Sequence, residues 1–191
     1  MAYTDFIAAI DLGTSHMVGM VGTKNAAGAL SIIAYEVENS ATCIRRGCVY
    51  NVEETANKIK RLILKLENKL HGSKIGKVYV GIGGQSLRSI EHNVLKVLGS
   101  DGVVTDEVIH SLYQECCNFH PDMLDVLAAV SPTYYLDDKP EPNPVGIPCN
   151  RIEARYKLIV GRPSLKRYVM NSIFDRAHID IAGLIVSPLA L

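Results

Sequence analysis

The sequence predicts an α/β fold in which a lobe built on a mixed β-sheet is interrupted by a small inserted α+β unit. Apolar, β-branched runs and an amphipathic helix fill the first part of the chain, and a helix and an apolar strand return at its end. Between them, residues 86–162 follow a different pattern, with polar–apolar alternation and a cluster of prolines. At 191 residues and 48% hydrophobic composition, the chain is long enough for one domain or two small ones.

The first part of the chain predicts the order β-β-β-α-β. Strands are expected at about 6–12, 17–23, 30–38 and 78–82. Asn51 is predicted to cap the helix, with Glu54 as its reciprocal partner, and Gly72 is predicted to end it. Apolar residues spaced three and four apart form a stripe that must pack on the sheet: Val52, Ala56, Ile59, Leu62, Ile63, Leu66 and Leu70.

The segment 86–162 predicts a small α+β unit. A strand is expected at 89–98, and Thr105 is expected to cap a helix that ends near Asn118. Two extended pieces follow at 124–130 and 133–136, separated by Pro132, which confines the strand to an edge or creates a bend. Four prolines between Asp137 and Cys149 predict a loop of partly polyproline character, and alternation over 151–160 predicts a half-buried strand.

The end of the chain predicts a return to the first sheet. Ser164 is expected to cap a helix, and Ile181 to Val186 form an apolar strand after it. The apolar face of this helix is predicted to comprise Leu165, Tyr168, Val169, Ile173, Phe174 and Ala177.

Composition excludes several classes of function. The 20 Lys+Arg balance the 20 Asp+Glu without a block of like charge, so no nucleic-acid or polybasic membrane patch is indicated. No apolar run reaches the about 20 residues of a membrane-spanning helix, and the N-terminus lacks a signal-peptide pattern. The five cysteines lack Cys-x-x-Cys spacing and are interpreted as free thiols in a reducing cytoplasm, and the scattered histidines match no metal-ligand spacing.

The turn after the first strand carries the candidate chemistry. In Asp11-Leu12-Gly13-Thr14-Ser15, glycine permits a sharp bend and close approach to a ligand. The amides of residues 13–15 and the Thr14 and Ser15 hydroxyls suit phosphate oxygens, and Asp11 suits Mg²⁺ held through water. Taken alone, the motif also fits an ordinary hairpin with a polar turn.

A second glycine-rich stretch, Gly81-Ile82-Gly83-Gly84, ends the fourth strand. It does not match a dinucleotide fingerprint, because its third glycine is misplaced and an extended segment follows it. The sequence predicts a flexible exit from the sheet at this point.

Taken with two later segments, the hairpin resembles a known family. The turn is similar to the first phosphate loop of the actin-like ATPases. Together with Arg45-Arg46-Gly47-Cys48-Val49-Tyr50-Asn51 and Lys77-Val78-Tyr79-Val80-Gly81-Ile82-Gly83-Gly84, it resembles the bacterial cell-division protein family FtsA. The resemblance implies a ribonuclease-H-like (actin-like) lobe: subdomain 1A, split over 1–85 and 163–191, with an inserted α+β subdomain 1C at 86–162.

The resemblance also implies a nucleotide site. A full-length parent would bind ATP and Mg²⁺, with Asp11, Gly13, Thr14, Ser15 and His16 at the phosphates. His16 stands where FtsA sequences often carry Lys, and it is either a phosphate contact or a surface residue on the second strand. A second phosphate loop and the adenosine pocket are missing, so the chain is expected to be a fragment, with a natural single-lobe protein as the alternative. We expect it to bind ATP weakly or not at all and to catalyse no hydrolysis, and the parent to be at most a weak ATPase.

By resemblance, the parent is a cytoplasmic scaffold at the inner membrane. It would polymerise and tether FtsZ, and it would reach the membrane through a C-terminal helix that is missing here. The inserted subdomain would face a neighbouring subunit or another division protein, with Pro140, Pro144, Arg151 and Arg155 as contact candidates. Those residues equally suit an ordinary surface loop and strand.

Two alternatives stay open at this point. The first is a pilus-assembly adaptor resembling PilM, which shares the fold and the insertion. The second is a small-molecule kinase of the same superfamily, which would need a general base in the cleft. Asp11 is the one carboxylate in a glycine-rich turn that suggests such a base.

Overall fold

The computed structural model describes residues 6–189. In chain order the elements are β1 (Ile7–Leu12), β2 (His16–Lys24), β3 (Leu30–Asn39), β4 (Ile44–Arg45), β5 (Cys48–Val49), α1 (Val52–Lys69), β6 (Lys77–Ile82), β7 (Arg88–Val97), α2 (Asp106–Cys117), β8 (Asp125–Leu136), β9 (Lys139–Pro140), β10 (Arg151–Gly161), α3 (Pro163–Met170), a π-helical segment (Asn171–Arg176), β11 (Asp180–Val186) and a 3₁₀ turn (Ser187–Leu189).

Contacts within the chain divide it into two units. The first comprises residues up to Gln85 and from Ser164 onward, and the second comprises Ser86–Pro163. Their assignment to subdomains 1A and 1C stays a prediction, and its outer limits at residues 1 and 191 lie outside the described range.

The first unit is built on a five-stranded mixed sheet. The strand order is β11-β6-β1-β2-β3, with β2 antiparallel to both β1 and β3, and β6 parallel to both β1 and β11. β4 and β5 form a separate two-stranded ribbon. Because β11 follows the inserted unit and still pairs with β6, the chain returns to the sheet that it left. The predicted α/β class with a mixed sheet is confirmed.

Helix α1 covers one face of this sheet. Its predicted apolar stripe is buried apart from Val52, which is half-buried, and Ile59, Leu62 and Leu66 are almost completely inaccessible. The helix lies close to β2 because Gly19 has no side chain: a Cβ there would lie 2.8 Å from Leu66 Cδ1.

The N-terminus of α1 differs from prediction in one respect. Asn51 Oδ1 accepts the Glu54 N–H at 3.0 Å, as expected for an N-cap. The prediction of a reciprocal contact from Glu54 is wrong. Its carboxylate instead accepts a hydrogen bond from the Thr42 hydroxyl and pairs with Lys58 at 3.1 Å. The hydrogen bond from Thr42, followed by the hydrogen bond from Lys58, lowers the pKa of Glu54. The Asn51 N–H donates instead to the Cys43 carbonyl at 3.1 Å.

The returning helix also differs from prediction. It begins at Pro163, so Ser164 lies inside the first turn and does not cap it. The predicted apolar face is too wide, because Tyr168 is 37% and Phe174 50% exposed. Ser172 is fully buried instead. Ser172 shares the buried side with Leu165 and Val169, because it follows them by seven and three residues. The Ala177 N–H donates to the Ser172 carbonyl at 3.1 Å, a five-residue step of the π-helical type.

The second unit is an antiparallel sheet packed against α2. Its strand order is β7-β10-β8-β9, and β10 lies in the interior of the sheet. Alternate residues of β10 are buried together with Leu112 and Cys116 of α2: Ile152, Ala154, Tyr156, Leu158 and Val160. The alternation that predicted a strand therefore also gives its inward face.

Two predictions in this unit need correction. The extended pieces on either side of Pro132 form one strand, β8, because pairing with β10 shifts register between Arg155 and Lys157 and accommodates Ser131 (φ 50°) and Pro132. The proline-rich segment is not entirely loop, since Pro140 belongs to β9 and pairs with Tyr135. β9 lies at the sheet edge, where a missing N–H is tolerated.

Two further features concern the described residues as a whole. No helix within residues 6–189 combines the length and the apolar character needed to cross a membrane. All five cysteines lie in this range and none forms a disulfide.

Candidate phosphate-binding site

The candidate site begins at the turn between β1 and β2. Leu12 pairs with Met17, and residues 13–15 connect the two strands. A Cβ on Gly13 would lie 2.5 Å from the His16 carbonyl oxygen, so a side chain at this position would force the turn to open. Thr14 and Ser15 are exposed at the tip. The structure therefore gives Gly13 the role in the bend that the sequence predicted.

A buried serine holds the turn from beneath. The Ser40 hydroxyl donates to the Gly13 carbonyl at 2.6 Å, and the Ser40 N–H donates to the Ser15 carbonyl at 2.9 Å. Ser40 itself is fully buried. Because two of the turn's carbonyl oxygens accept hydrogen bonds from Ser40, the conformation of the turn is fixed from the protein side. No sequence pattern pointed to this residue, which lies in a polar loop after β3.

Thr14 ties the turn to the β4–β5 ribbon. Its Oγ1 accepts the Gly47 N–H at 2.9 Å, which leaves the hydroxyl proton free to be donated to a ligand. Gly47 has a φ of 75° and lies against Gly84, where a Cβ on Gly47 would be 2.7 Å from the Gly84 Cα. Gly84 therefore has a packing role, and the predicted flexible exit at residues 81–84 is corrected on this point.

Asp11 lies at the carboxyl end of β1, on the face of the sheet opposite α1. We name this surface the open face; it carries Ala9, Asp11, Val18, Met20, Tyr79, Gly81 and Ile185. A groove of about 790 Å³ runs along it, and its lining is mainly apolar. Asp11 and Ser187, whose Oγ lies 3.2 Å from Asp11 Oδ1, form its polar end.

His16 begins β2, is exposed, and pairs with Asn39 of β3. This location is compatible with both interpretations of the residue, since it adjoins the turn and also lies on the surface. The structure thus brings Asp11, Gly13, Thr14, Ser15 and His16 together in one hairpin.

The residues suit a phosphate and a hydrated metal ion. The turn itself carries the hydroxyl and amide donors. Asp11 supplies carboxylate oxygens, which can bind Mg²⁺ directly or through its waters. The space over Gly81, which a Cβ would fill to 2.7 Å from Asp11 Oδ1, keeps that carboxylate accessible. The donor set therefore fits the terminal phosphates of a nucleotide with Mg²⁺.

The four residues predicted to bind partners lie in the second unit. Pro140 is exposed and pairs with Tyr135, whose ring lies 4.1 Å from the Arg155 guanidinium carbon. Arg155 also bonds Glu153 at 2.8 Å, and Arg151 pairs with Asp138. Pro144 is buried, so its side chain faces the unit's interior and not a partner.

The comparison of folds defines the class of protein. The solved structure described as the PilM-PilN type IV pilus biogenesis complex matches 96% of this chain and 48% of that chain, with a TM-score of 0.61 and 15% identity. At this identity the likeness concerns the fold alone. The mixed five-stranded sheet, the insertion after β6 and this likeness define the class as the predicted ribonuclease-H-like (actin-like) fold.

The sequence comparison gives the particular relatives. Two curated proteins named Cell division protein FtsA are similar to the chain. The one from Porphyromonas gingivalis is 38% identical over 95% of the chain, and the one from Pseudomonas aeruginosa is 24% identical over 96%. These matches confirm the resemblance to FtsA. The chain spans 38% and 44% of the lengths of these two relatives, and no protein-family model matches it.

Proposed function

We propose that the chain forms the phosphate- and magnesium-binding side of a nucleotide site in an actin-like cell-division protein. One observation carries the proposal: in a chain 38% identical to an FtsA, the turn 13–15 and Asp11 converge at the carboxyl end of β1. The carboxyl ends of parallel strands are the general place for ligands in α/β sheets.

Each residue has a defined role in this proposal. Gly13 shapes the turn, and the amides and hydroxyls of Thr14 and Ser15 bind phosphate oxygens. Asp11 accepts hydrogen bonds from the waters of Mg²⁺, which when bound neutralises charge on the phosphates. No residue of this hairpin is proposed to catalyse hydrolysis.

The affinity of this chain alone is proposed to be low. By resemblance, the nucleotide is held between two lobes, and the hairpin provides only one side of that cleft. Fewer contacts leave less free energy to offset the loss of ligand motion on binding. Millimolar affinity or none is therefore expected, and a second lobe is expected to raise it.

An amide NMR titration tests the nucleotide proposal, because it detects millimolar binding. MgATP is expected to shift the Gly13, Thr14 and Ser15 amides, and Asp11→Asn is expected to remove the magnesium-dependent part of that response. Asp101→Asn, at an exposed turn of the second unit, is the control and should change nothing. Micromolar affinity would contradict the need for a second lobe. If MgATP shifts none of the hairpin amides, either in the chain or in the complete gene product, the proposed site is contradicted.

At the level of the cell, we propose a scaffold that polymerises and tethers FtsZ at the cytoplasmic face of the inner membrane. A fluorescent fusion of the complete gene product should form a mid-cell ring in dividing cells and recruit FtsZ. A diffuse signal that leaves FtsZ unaffected would contradict this proposal.

The inserted unit is proposed to contact a neighbouring subunit or another division protein. Its candidate surface comprises Pro140, Arg151 and Arg155, while the burial of Pro144 argues against that residue. The double change Arg151→Ala and Arg155→Ala should weaken assembly measured by sedimentation, with Lys157→Ala on the same exposed face of β10 as the control. Equal assembly of all variants would remove this surface from consideration.

The fold match to the PilM-PilN complex supports a second candidate, an adaptor for pilus assembly. Depletion of the gene product distinguishes the two. Filamentous, undivided cells are expected for the division scaffold, whereas loss of pili with normal division would favour the adaptor.

A further inference from the structure

Two polar side chains meet across a strand at the end of the open face. Asp11 belongs to β1 and Ser187 follows β11, and β6 runs between them. The Ser187 hydroxyl lies 3.2 Å from Asp11 Oδ1, a distance at which it can donate a hydrogen bond. Residues 176 positions apart are thereby joined at the carboxyl ends of three parallel strands.

Gly81 makes this contact possible. In the sheet, Gly81 pairs with Asp11 on one side and with Ile185 on the other. A Cβ at Gly81 would lie 2.7 Å from Asp11 Oδ1 and 3.2 Å from Ser187 Oγ, within the space that the two side chains share. A larger residue would push them apart, so the glycine is required here for proximity.

The two oxygens of Asp11 face different parts of the site. Oδ1 is the atom nearest to Ser187 and Gly81. Oδ2 lies 3.9 Å from the Cβ position of Gly13, which is the side of the phosphate-binding turn. A hydrogen bond to Oδ1 therefore restrains the Asp11 side chain to one χ1 rotamer, in which Oδ2 lies toward the turn.

We propose that Ser187 is a positioning residue for the magnesium–phosphate site, acting by holding Asp11 in this orientation. The inference rests on the proposed nucleotide site and adds a residue from the far end of the chain to it. Ser187 would not touch the nucleotide. Because its hydroxyl already holds Asp11 in one rotamer, less conformational entropy of that side chain is lost when Mg²⁺ and its waters bind.

The first measurement does not depend on nucleotide. Three-bond couplings to Asp11 Cγ report the rotamer of that side chain. We expect a single rotamer in the unmodified chain and in Ser187→Thr, which keeps the hydroxyl, and averaging in Ser187→Ala. Averaging in the unmodified chain, or a single rotamer in Ser187→Ala, would overturn the proposal.

The second measurement is the affinity for ATP with Mg²⁺ and for ATP with EDTA. If the chain binds too weakly to titrate, the complete gene product is used. Ser187→Ala should weaken MgATP binding about three- to tenfold, the range of one hydrogen bond, and leave metal-free ATP unchanged. Ser187→Thr should restore the affinity, and Ser187→Ala should add nothing in an Asp11→Asn background.

Ser73→Ala is the matched control, because Ser73 is an exposed serine in the loop after α1 of the same unit. It should change neither affinity nor melting temperature, and Ser187→Ala should leave the melting temperature unchanged. Equal losses for MgATP and metal-free ATP, or no loss for either, would overturn the positioning role. If no form binds ATP, the proposed nucleotide site fails and this role fails with it, even where the rotamer measurement shows that the contact exists.

Discussion

The two faces of the five-stranded sheet are made by the same strands and differ sharply. On the face under α1, alternate residues such as Ile10, Val21 and Val80 are buried. On the open face, Met20, Tyr79 and Ile185 are apolar yet each more than 40% exposed. The open face also ends in the polar pair Asp11 and Ser187, whereas the covered face contributes packing alone.

The difference shows how one strand can serve stability and chemistry together. In β6, Val78, Val80 and Ile82 point under the helix, while Tyr79 and Gly81 line the groove. Because successive side chains alternate between faces, changes at one set of positions can be tested without changing the other.

The largest expected effect comes from the covered face. Leu62→Ala removes a fully buried side chain from α1 and should reduce the free energy of unfolding by about 2–5 kcal/mol. Met20→Ala, on the open face of β2, should cost under about 1 kcal/mol. Urea denaturation measures both changes. Comparable losses for the two variants would mean that the open face is covered in solution.

The next effect concerns the support of the phosphate turn. Ser40→Ala removes the hydroxyl that bonds the Gly13 carbonyl and should cost about 1–2 kcal/mol. Hydrogen exchange at the turn amides should accelerate more than exchange in β6. The exposed Ser31→Ala is the control, and the same exchange pattern in both variants would show that Ser40 does not hold the turn.

Much of the fold could be predicted from sequence because its signals are local. Apolar runs gave the strands, spacing of three and four gave α1, and alternation gave β10. One error arose where a contact from outside the helix changed the local rule, because Glu54 bonds Thr42 and also pairs with Lys58 in place of the Asn51 amide. The other arose because the predicted apolar face of the returning helix included Tyr168 and Phe174 and omitted Ser172, which helical spacing places beside Leu165 and Val169.

The site was predictable in part for the same reason. The turn 11–15 is one short motif, so its residues are adjacent in sequence. Ser187 and Gly81 meet Asp11 only because β11, β6 and β1 are neighbours in the sheet, and strand order is not written in any one segment. Asp11 and Ser187 are both polar residues that directly follow a run of apolar residues, and this signal would have pointed to Ser187.

A smaller effect contrasts two asparagines of one helix. Asn51→Ala removes the N-cap that accepts the Glu54 N–H and should cost about 1 kcal/mol. Asn57→Ala, at an exposed position inside α1, should leave stability unchanged or raise it slightly, because alanine is the better helix former. Thermal unfolding distinguishes the two signs, and equal losses would contradict the cap.

The smallest effect compares a buried and a partly exposed position on α2. It concerns the reactivity of two adjacent cysteine thiols and requires no change of the fold. Cys116 is fully buried and Cys117 is partly exposed. Burial, followed by the charges of Cys117 and Glu115, raises the pKa of the Cys116 thiol to about 11. Because the thiolate is the reactive form, iodoacetamide at pH 8 should modify Cys117 and spare Cys116 in the folded protein. Mass spectrometry of tryptic peptides measures both sites, with urea-unfolded protein as the control in which both react. Equal modification of the two cysteines in the folded protein would mean that α2 does not hold Cys116 against the β10 side chains.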